Sequence, residues 1–256
     1  MALGCTEFAV PGNTLKNKLK VLESRGMWLE LVNDDLTDNR SKEISKIFPS
    51  FNVPVRSVQA NLLRDLQPLG ARKKDREIAV GHIEETMRLA SRLGAQNVVT
   101  VATYGEPTVE DPIEKCVDTF KHLSKLGAEL GITVSIEALG KNRTTFLPSV
   151  GDVCNLVHKV GSEYVHPMAD TMHIHDNGED VAEVVEKHAG EFSELQLRDN
   201  DSKPPGRGDI NFRSVLKAAR GKFKGLLCIE YRPGPDPYAD FDWACKFVDR
   251  IISEAR

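Results

Sequence analysis

The sequence is poor in the features that announce several large classes of protein. Its five cysteines, Cys5, Cys116, Cys154, Cys228 and Cys245, lie far apart and include no Cys-x-x-Cys pair. That spacing excludes a disulfide framework and points to reduced thiols in a cytoplasmic setting, so no role is assigned to them. No apolar run reaches the length of a membrane span, and the opening MALGCTEFAV lacks the basic and apolar regions of a signal peptide. The chain is expected to start directly in a strand, without membrane partners. Basic residues do not gather into runs, and the formal net charge is -4 with a pI near 6.0. The electrostatic signature of a nucleic-acid binder is therefore missing, and a small polar or neutral substrate fits better than a polyanion. No Gly-x-Gly-x-x-Gly follows the first strand, no P-loop lysine motif occurs, and strong repeats, linkers and low-complexity tracts are absent.

What is present is a recurring unit: an amphipathic segment, a glycine, then a short apolar run of β type. It appears as LESRG before MWLELV, SRLGAQ before NVVTVA, ELG before ITVSIEA and KVGSE before YVHPMAD, and again before SELQLRD and GLLCIEY. Helices end, glycine caps them and strands follow. In the helical stretch REIAVGHIEETMRLASRLG, Ala79, Ile83, Met87 and Ala90 mark one apolar face. With LGCTEFAV and VPVRSVQA added, eight strands are expected, at 3–8, 27–32, 53–60, 97–103, 132–138, 164–170, 193–198 and 226–231. Regular alternation over 256 residues predicts an α/β fold, a single (β/α)8 barrel over 1–256. An open doubly wound sheet is the alternative, weakened by the missing nucleotide motifs.

A barrel places its active site at the C-terminal ends of its strands. TVSIEA ends at Glu137, YVHPMAD at Asp170 and LLCIEY at Glu230, while SELQLRD presents Gln196. One strand-end acid is ordinarily solvated or ion-paired; four such groups on successive strands are another matter. Three acids and an amide converging in one mouth repel one another unless a cation joins them. Oxygen ligands select Mg²⁺ or Mn²⁺, and a neighbouring histidine also admits Co²⁺ or Zn²⁺. Glu30, in mid-strand, is expected to support the site from within, with an outward-facing role as the alternative.

The stretch ADTMHIHD poses a geometric question. On a strand, His173 and His175 would share a face and Asp170 and His173 would not. If Asp170 ends the sixth strand and the chain turns into a loop, Asp170 and His173 become the functional pair and His175 faces solvent. His82, His122, His158 and His188 fall on helices and His166 within a strand, and all five are assigned to structure.

These residues resemble the xylose isomerase-like TIM barrels, a family of sugar isomerases, epimerases and type IV endonucleases. The matching motifs are IEAL (136–139), DTMH (170–173), LQLRDNDSKPPGRGD (195–209) and CIEY (228–231), with LGCTEFAVPG and RTTFL similar in tone. The resemblance implies that Glu137, Asp170, Gln196 and Glu230 bind one divalent metal and that Glu137 and Glu230 double as the acid/base pair. It implies that His173 holds the substrate; Lys203, Arg232 and Gln59 are the further substrate contacts expected. Gln196, where many epimerases have histidine, looks like the hydroxypyruvate isomerase branch. The endonuclease branch is set aside, because RSVQANL, VVTVATYG and LQLRDN supply none of the histidines a trinuclear zinc site needs.

The expected activity is isomerisation or epimerisation of a ketose or 2-hydroxy carbonyl compound through an enediolate, one Glu removing a proton and the other returning it. A dehydratase or lyase acting on a keto-cyclitol or keto-sugar shares the first step and is the nearest alternative. A carbohydrate-binding barrel without catalysis comes third. Barrels of this kind often pair through elements beside the mouth, which would make the chain a homo-oligomer. The loops QANLLRDLQPLG and TYGEPTVEDP are expected to set substrate size.

Overall fold

All eight strands form, as β1 (Leu3–Thr6), β2 (Trp28–Asn33), β3 (Val55–Ala60), β4 (Asn97–Val101), β5 (Thr133–Glu137), β6 (Val165–Asp170), β7 (Glu194–Leu197) and β8 (Leu226–Ile229). In a computed structural model describing residues 2–34, 38–60, 66, 68–70 and 72–254, every strand pairs in parallel with its neighbour in sequence, and β8 returns to β1 to close the ring. Much of the expected specificity loop at 59–70 lies outside the described residues. The connecting helices are α1 (Leu15–Arg25), α2 (Asp38–Ile47), α3 (Lys73–Arg92), α4 (Pro112–Leu130), α5 (Val150–Val160), α6 (Thr171–Asp176), α7 (Val181–His188), α8 (Phe212–Ala219) and α9 (Pro237–Glu254). The fold is therefore a (β/α)8 barrel, and no described helix is long and apolar enough to cross a membrane.

Local chemistry accounts for the boundaries. Ser149 and Asp152 form a reciprocal cap at the start of α5, and Gly161 ends that helix in the left-handed conformation, which costs a glycine least. Gly131 does the same for α4. Ala79, Ile83, Met87 and Ala90 of α3 are all buried, as their spacing predicts.

The apolar core lies between strands and helices, whereas the barrel interior is largely polar. Period-two alternation turns Thr6, Glu30, Ser57, Gln59, Asn97, Ser135, Glu194, Gln196 and Cys228 inwards, and they meet one another there. At the floor Gly4 leaves room for the buried indole of Trp28; a Cβ at that position would stand 2.1 Å from the ring.

Candidate active site

β5 ends at Glu137 and β6 at Asp170, Gln196 lies within β7, and Glu230 immediately follows β8. Glu137 and Glu230 line one cavity of about 430 Å³ at the mouth, together with Gln59, Arg143, Arg198 and Arg232. Phe8, Tyr104 and Pro233 complete its wall. Asp170 and Gln196 are fully buried beneath it.

The residue that organises this mouth is one the sequence reading passed over. Arg198 follows Gln196 by two positions, so strand alternation sends both side chains to the interior. Its guanidinium forms an ion pair with Asp170, lies 2.7 Å from Glu230 Oε1 and 4.0 Å from Glu137 Oε1, and is almost wholly buried. Burial works against its charge, but Asp170, Glu230 and Glu137 outweigh that and raise its pKa, so it stays charged. The acids respond unequally. Burial, then Glu230 and Asp170, hold the Glu137 carboxyl well above the usual carboxylate range. Burial likewise raises Glu230, with Arg198 opposing it, and pushes Asp170 up to about 6 against the pull of Arg198. The mouth therefore disfavours ionisation of its acids while keeping one resident cation.

The Asp170–His173 pair is made by a helix rather than the expected loop. Asp170 caps α6 by accepting from Met172 N at 2.8 Å, and the helical turn brings His173 back beside it. Thr171 fixes the junction: its hydroxyl donates to the Arg198 carbonyl at 2.7 Å and accepts from Arg198 N at 2.9 Å. His173 Nε2 lies 3.1 Å from Arg198 Nη2 and 3.5 Å from Glu137 Oε1. Burial, then Arg198 and Arg143, hold His173 well below its ordinary pKa, so it is a neutral acceptor behind the carboxylates rather than on the cavity wall. His175 is outside the group, beside Asp176 and partly exposed.

Deeper in the barrel, Glu30 collects donors. Its Oε1 accepts from Thr6 at 2.6 Å, Gln59 at 2.8 Å and Gln196 at 2.9 Å. Gln59 also donates to Glu230 Oε2 at 2.9 Å, and the Thr6 hydroxyl lies 3.3 Å from the same oxygen. Glu194, a buried acid that the sequence reading did not single out, holds Asn97 at 2.9 Å. Burial, then Glu194, push the Glu30 carboxyl well up.

The loop after β7 winds around another side chain. Buried Asp199 accepts from Gly206 N at 2.9 Å, Gly208 N at 2.8 Å, Asn200 N at 3.0 Å and Ile210 N at 3.1 Å. A Cβ on Gly208 would stand 1.9 Å from Asn200 Oδ1 and 2.5 Å from Asp199 Oδ1, which explains the small residues of PPGRGD. This winding carries Lys203 away from the mouth: it is exposed and paired with Asp201 at 2.9 Å. Arg143, from the loop after β5, enters the cavity wall in its stead, beside the expected Gln59 and Arg232.

The donors suit a hard cation. Gln196 directs its amide N–H groups at Glu30, leaving its buried Oε1 with no hydrogen-bond partner, and buried Asp170 Oδ2 has only its ion pair with Arg198. Glu137, Asp170 and His173 each offer a ligand atom, all within 4.8 Å of one another. Arg198 lies against the same oxygens.

Comparison with known proteins agrees with this architecture. A putative hydroxypyruvate isomerase of Streptomyces coelicolor is 26% identical over 145 residues, 52% of each chain. The chain spans about half or less of the length of the curated relatives it matches. Among solved structures, an L-ribulose 3-epimerase superposes with a TM-score of 0.87 at 18% identity, covering 100% of this chain and 96% of that one. An IOLI protein described with a bound zinc atom gives 0.82 at 18% identity, covering 100% and 99%. At those identities the likeness shows the fold alone. The model of the xylose isomerase-like TIM barrel family matches residues 22–248, and the chain belongs to that family.

Proposed function

We propose that this chain is an isomerase or epimerase that moves a proton on a 2-hydroxy carbonyl compound, a ketose or a keto acid, through an enediolate. The observation that carries the reading is that Glu137 and Glu230 face one cavity with the Arg198 guanidinium between them. Burial raises both carboxyls, and Glu230 raises Glu137 further, an unequal pair suited to one acid holding a proton while its partner accepts one. The ionised Glu removes the proton from the carbon beside the carbonyl. The protonated Glu delivers its own, to the opposite face in epimerisation or to the neighbouring carbon in isomerisation. Arg198 stabilises the negative charge that develops between them.

Glu137, Asp170, Gln196 and Glu230 would hold a divalent ion, Mn²⁺ or Mg²⁺ by the hardness of the oxygens. When bound it would supply Lewis-acid polarisation of the substrate carbonyl. His173 positions Glu137 and Arg198. Gln59 keeps the Glu230 carboxylate aimed into the cavity.

Arg143 and Arg232 refine the substrate. Both line the cavity, and neither has an ion-pair partner among the described residues. Two guanidinium groups on one cavity wall favour a substrate carrying a carboxylate or phosphate, which puts a small keto acid ahead of a neutral sugar. The test is solvent deuterium incorporation into hydroxypyruvate and a ketose panel, with added Mn²⁺ or Mg²⁺. Exchange beside the carbonyl is expected, and Glu137→Gln and Glu230→Gln each lose about 10²–10⁴-fold of it. A dehydrated product would move the reading to the lyase alternative. No exchange with any substrate would sink the proposal.

A further inference from the structure

Outside the mouth, α5 and α7 bring together four residues that chain order keeps apart. Cys154 and His158 sit one turn apart on α5, so they share a helix face. His188 is the last residue of α7 and Glu191 follows three positions later. Cys154 Sγ lies 3.4 Å from His188 Nδ1, which lies 3.0 Å from Glu191 Oε1. Glu191 Oε2 lies 2.7 Å from His158 Nε2. Cys154 is buried, the His188 side chain is 12% exposed and that of His158 is 66% exposed, so the group has a closed inner side and an open path from solvent. His166 is not part of it, since both its ring nitrogens face backbone carbonyls, those of Glu163 and Glu191.

We propose that Cys154, His188 and Glu191 form a zinc site that clamps α5 to α7 on the outer layer of the barrel, with His158 holding the second oxygen of Glu191 and orienting that ligand. A thiolate, an imidazole and a carboxylate suit a borderline-soft ion and disfavour Mg²⁺ and Mn²⁺, the ions that suit the oxygen donors of the mouth. The ligand atoms of Cys154, His188 and Glu191 all lie within 4.8 Å of one another, so small side-chain shifts bring them to the roughly 3.3–3.7 Å separations of a tetrahedral ion with bonds of about 2.0–2.3 Å. The carbonyl of Glu191 meets His166 Nδ1 and its N–H bonds to the His188 carbonyl, so this ligand's backbone is already in place. Burial, with Glu191 adding to it, pushes the Cys154 thiol up to about 12. Zinc therefore displaces a proton, which leaves to solvent as the sulfur–metal bond forms.

The test is Co²⁺ titration of the full chain, followed by displacement with Zn²⁺. A thiolate-to-cobalt charge-transfer band in the near ultraviolet and tetrahedral visible bands are expected. They should be lost in Cys154→Ser and retained both in Cys228→Ser and in the Glu137→Gln/Glu230→Gln double variant. In His158→Ala, whose exposed side chain is not needed for folding, zinc affinity measured against a chelating dye should fall about tenfold or more. No charge-transfer band in the unaltered chain, a band surviving Cys154→Ser, or unchanged zinc affinity in His158→Ala would each overturn the site. None of these outcomes bears on the chemistry of the mouth, which shares no residue with it.

Discussion

The two halves of the barrel bring unlike chemistry to one cavity. From β5 to β8 come the charges: Glu137, Asp170, Arg198 and Glu230, tied to each other by ion pairs. From β1 to β3 come the hydroxyl of Thr6 and the amide of Gln59, which place hydrogen bonds on Glu230 and on the interior acid Glu30. On the proposed mechanism the second half does the chemistry and the first half solvates it in place of water. Substitutions should therefore be severe in the second half and graded in the first.

The largest effect is expected at Arg198. Arg198→Met leaves three acids buried around the space of the lost cation, a change of the kind that costs about 3–5 kcal/mol. Thermal melts of this variant should rise markedly with Mn²⁺ and fall with chelator, and more so than those of the unaltered protein, in which the guanidinium already neutralises the same oxygens. Equal metal responses in the two proteins would show that Arg198 and a metal do not share a site. Next comes Gln59→Leu, which removes hydrogen bonds to two carboxyl groups worth about 1.5–3 kcal/mol each at most. Turnover should drop by less than in Glu230→Gln; an equal loss would erase the contrast between the halves.

The smallest effect is a slope with pH. Asp170 is raised to about 6 when folded from an ordinary value of 3.8. The folded state therefore binds the extra proton between those values, and this contribution to stability is present at the acid end and lost as pH rises through about 6. Denaturant unfolding from pH 4 to 7 should show the protein losing stability relative to Asp170→Asn across that window. Parallel curves would place the carboxyl's pKa near its unfolded value.

Strand positions were legible because apolar β runs and glycine-ended helices repeat with little disturbance, and strand ends then indicated Glu137, Asp170 and Glu230. Arg198 was equally available to period-two counting from Gln196, but an arginine inside a strand reads as surface until its acids are known to converge on it. Lys203 was expected at the mouth and lies away from it because the winding of its loop, set by Asp199 and two glycines, cannot be counted along the sequence; Arg143, on the loop after β5, carried no expectation. The turn after Asp170 is helical because the carboxyl caps it, a local signal that the same residue's place at a strand end masks. His158, His188 and Cys154 carried no signal at all, since only packing of α5 on α7 brings them together.

Asp199 has a consequence for exchanging parts between relatives. The segment 200–210 hangs from one carboxylate, and that carboxylate directly follows Arg198 in the chain. A transplanted loop that keeps an acid at 199 and the glycines at 206 and 208 keeps the anchor that holds the segment beside the guanidinium. One that loses the anchor alters the mouth although no residue of the mouth has been changed. Natural graft boundaries for recombining this barrel therefore fall inside the loop, after Asp199 and before Ile210, rather than at the end of the strand.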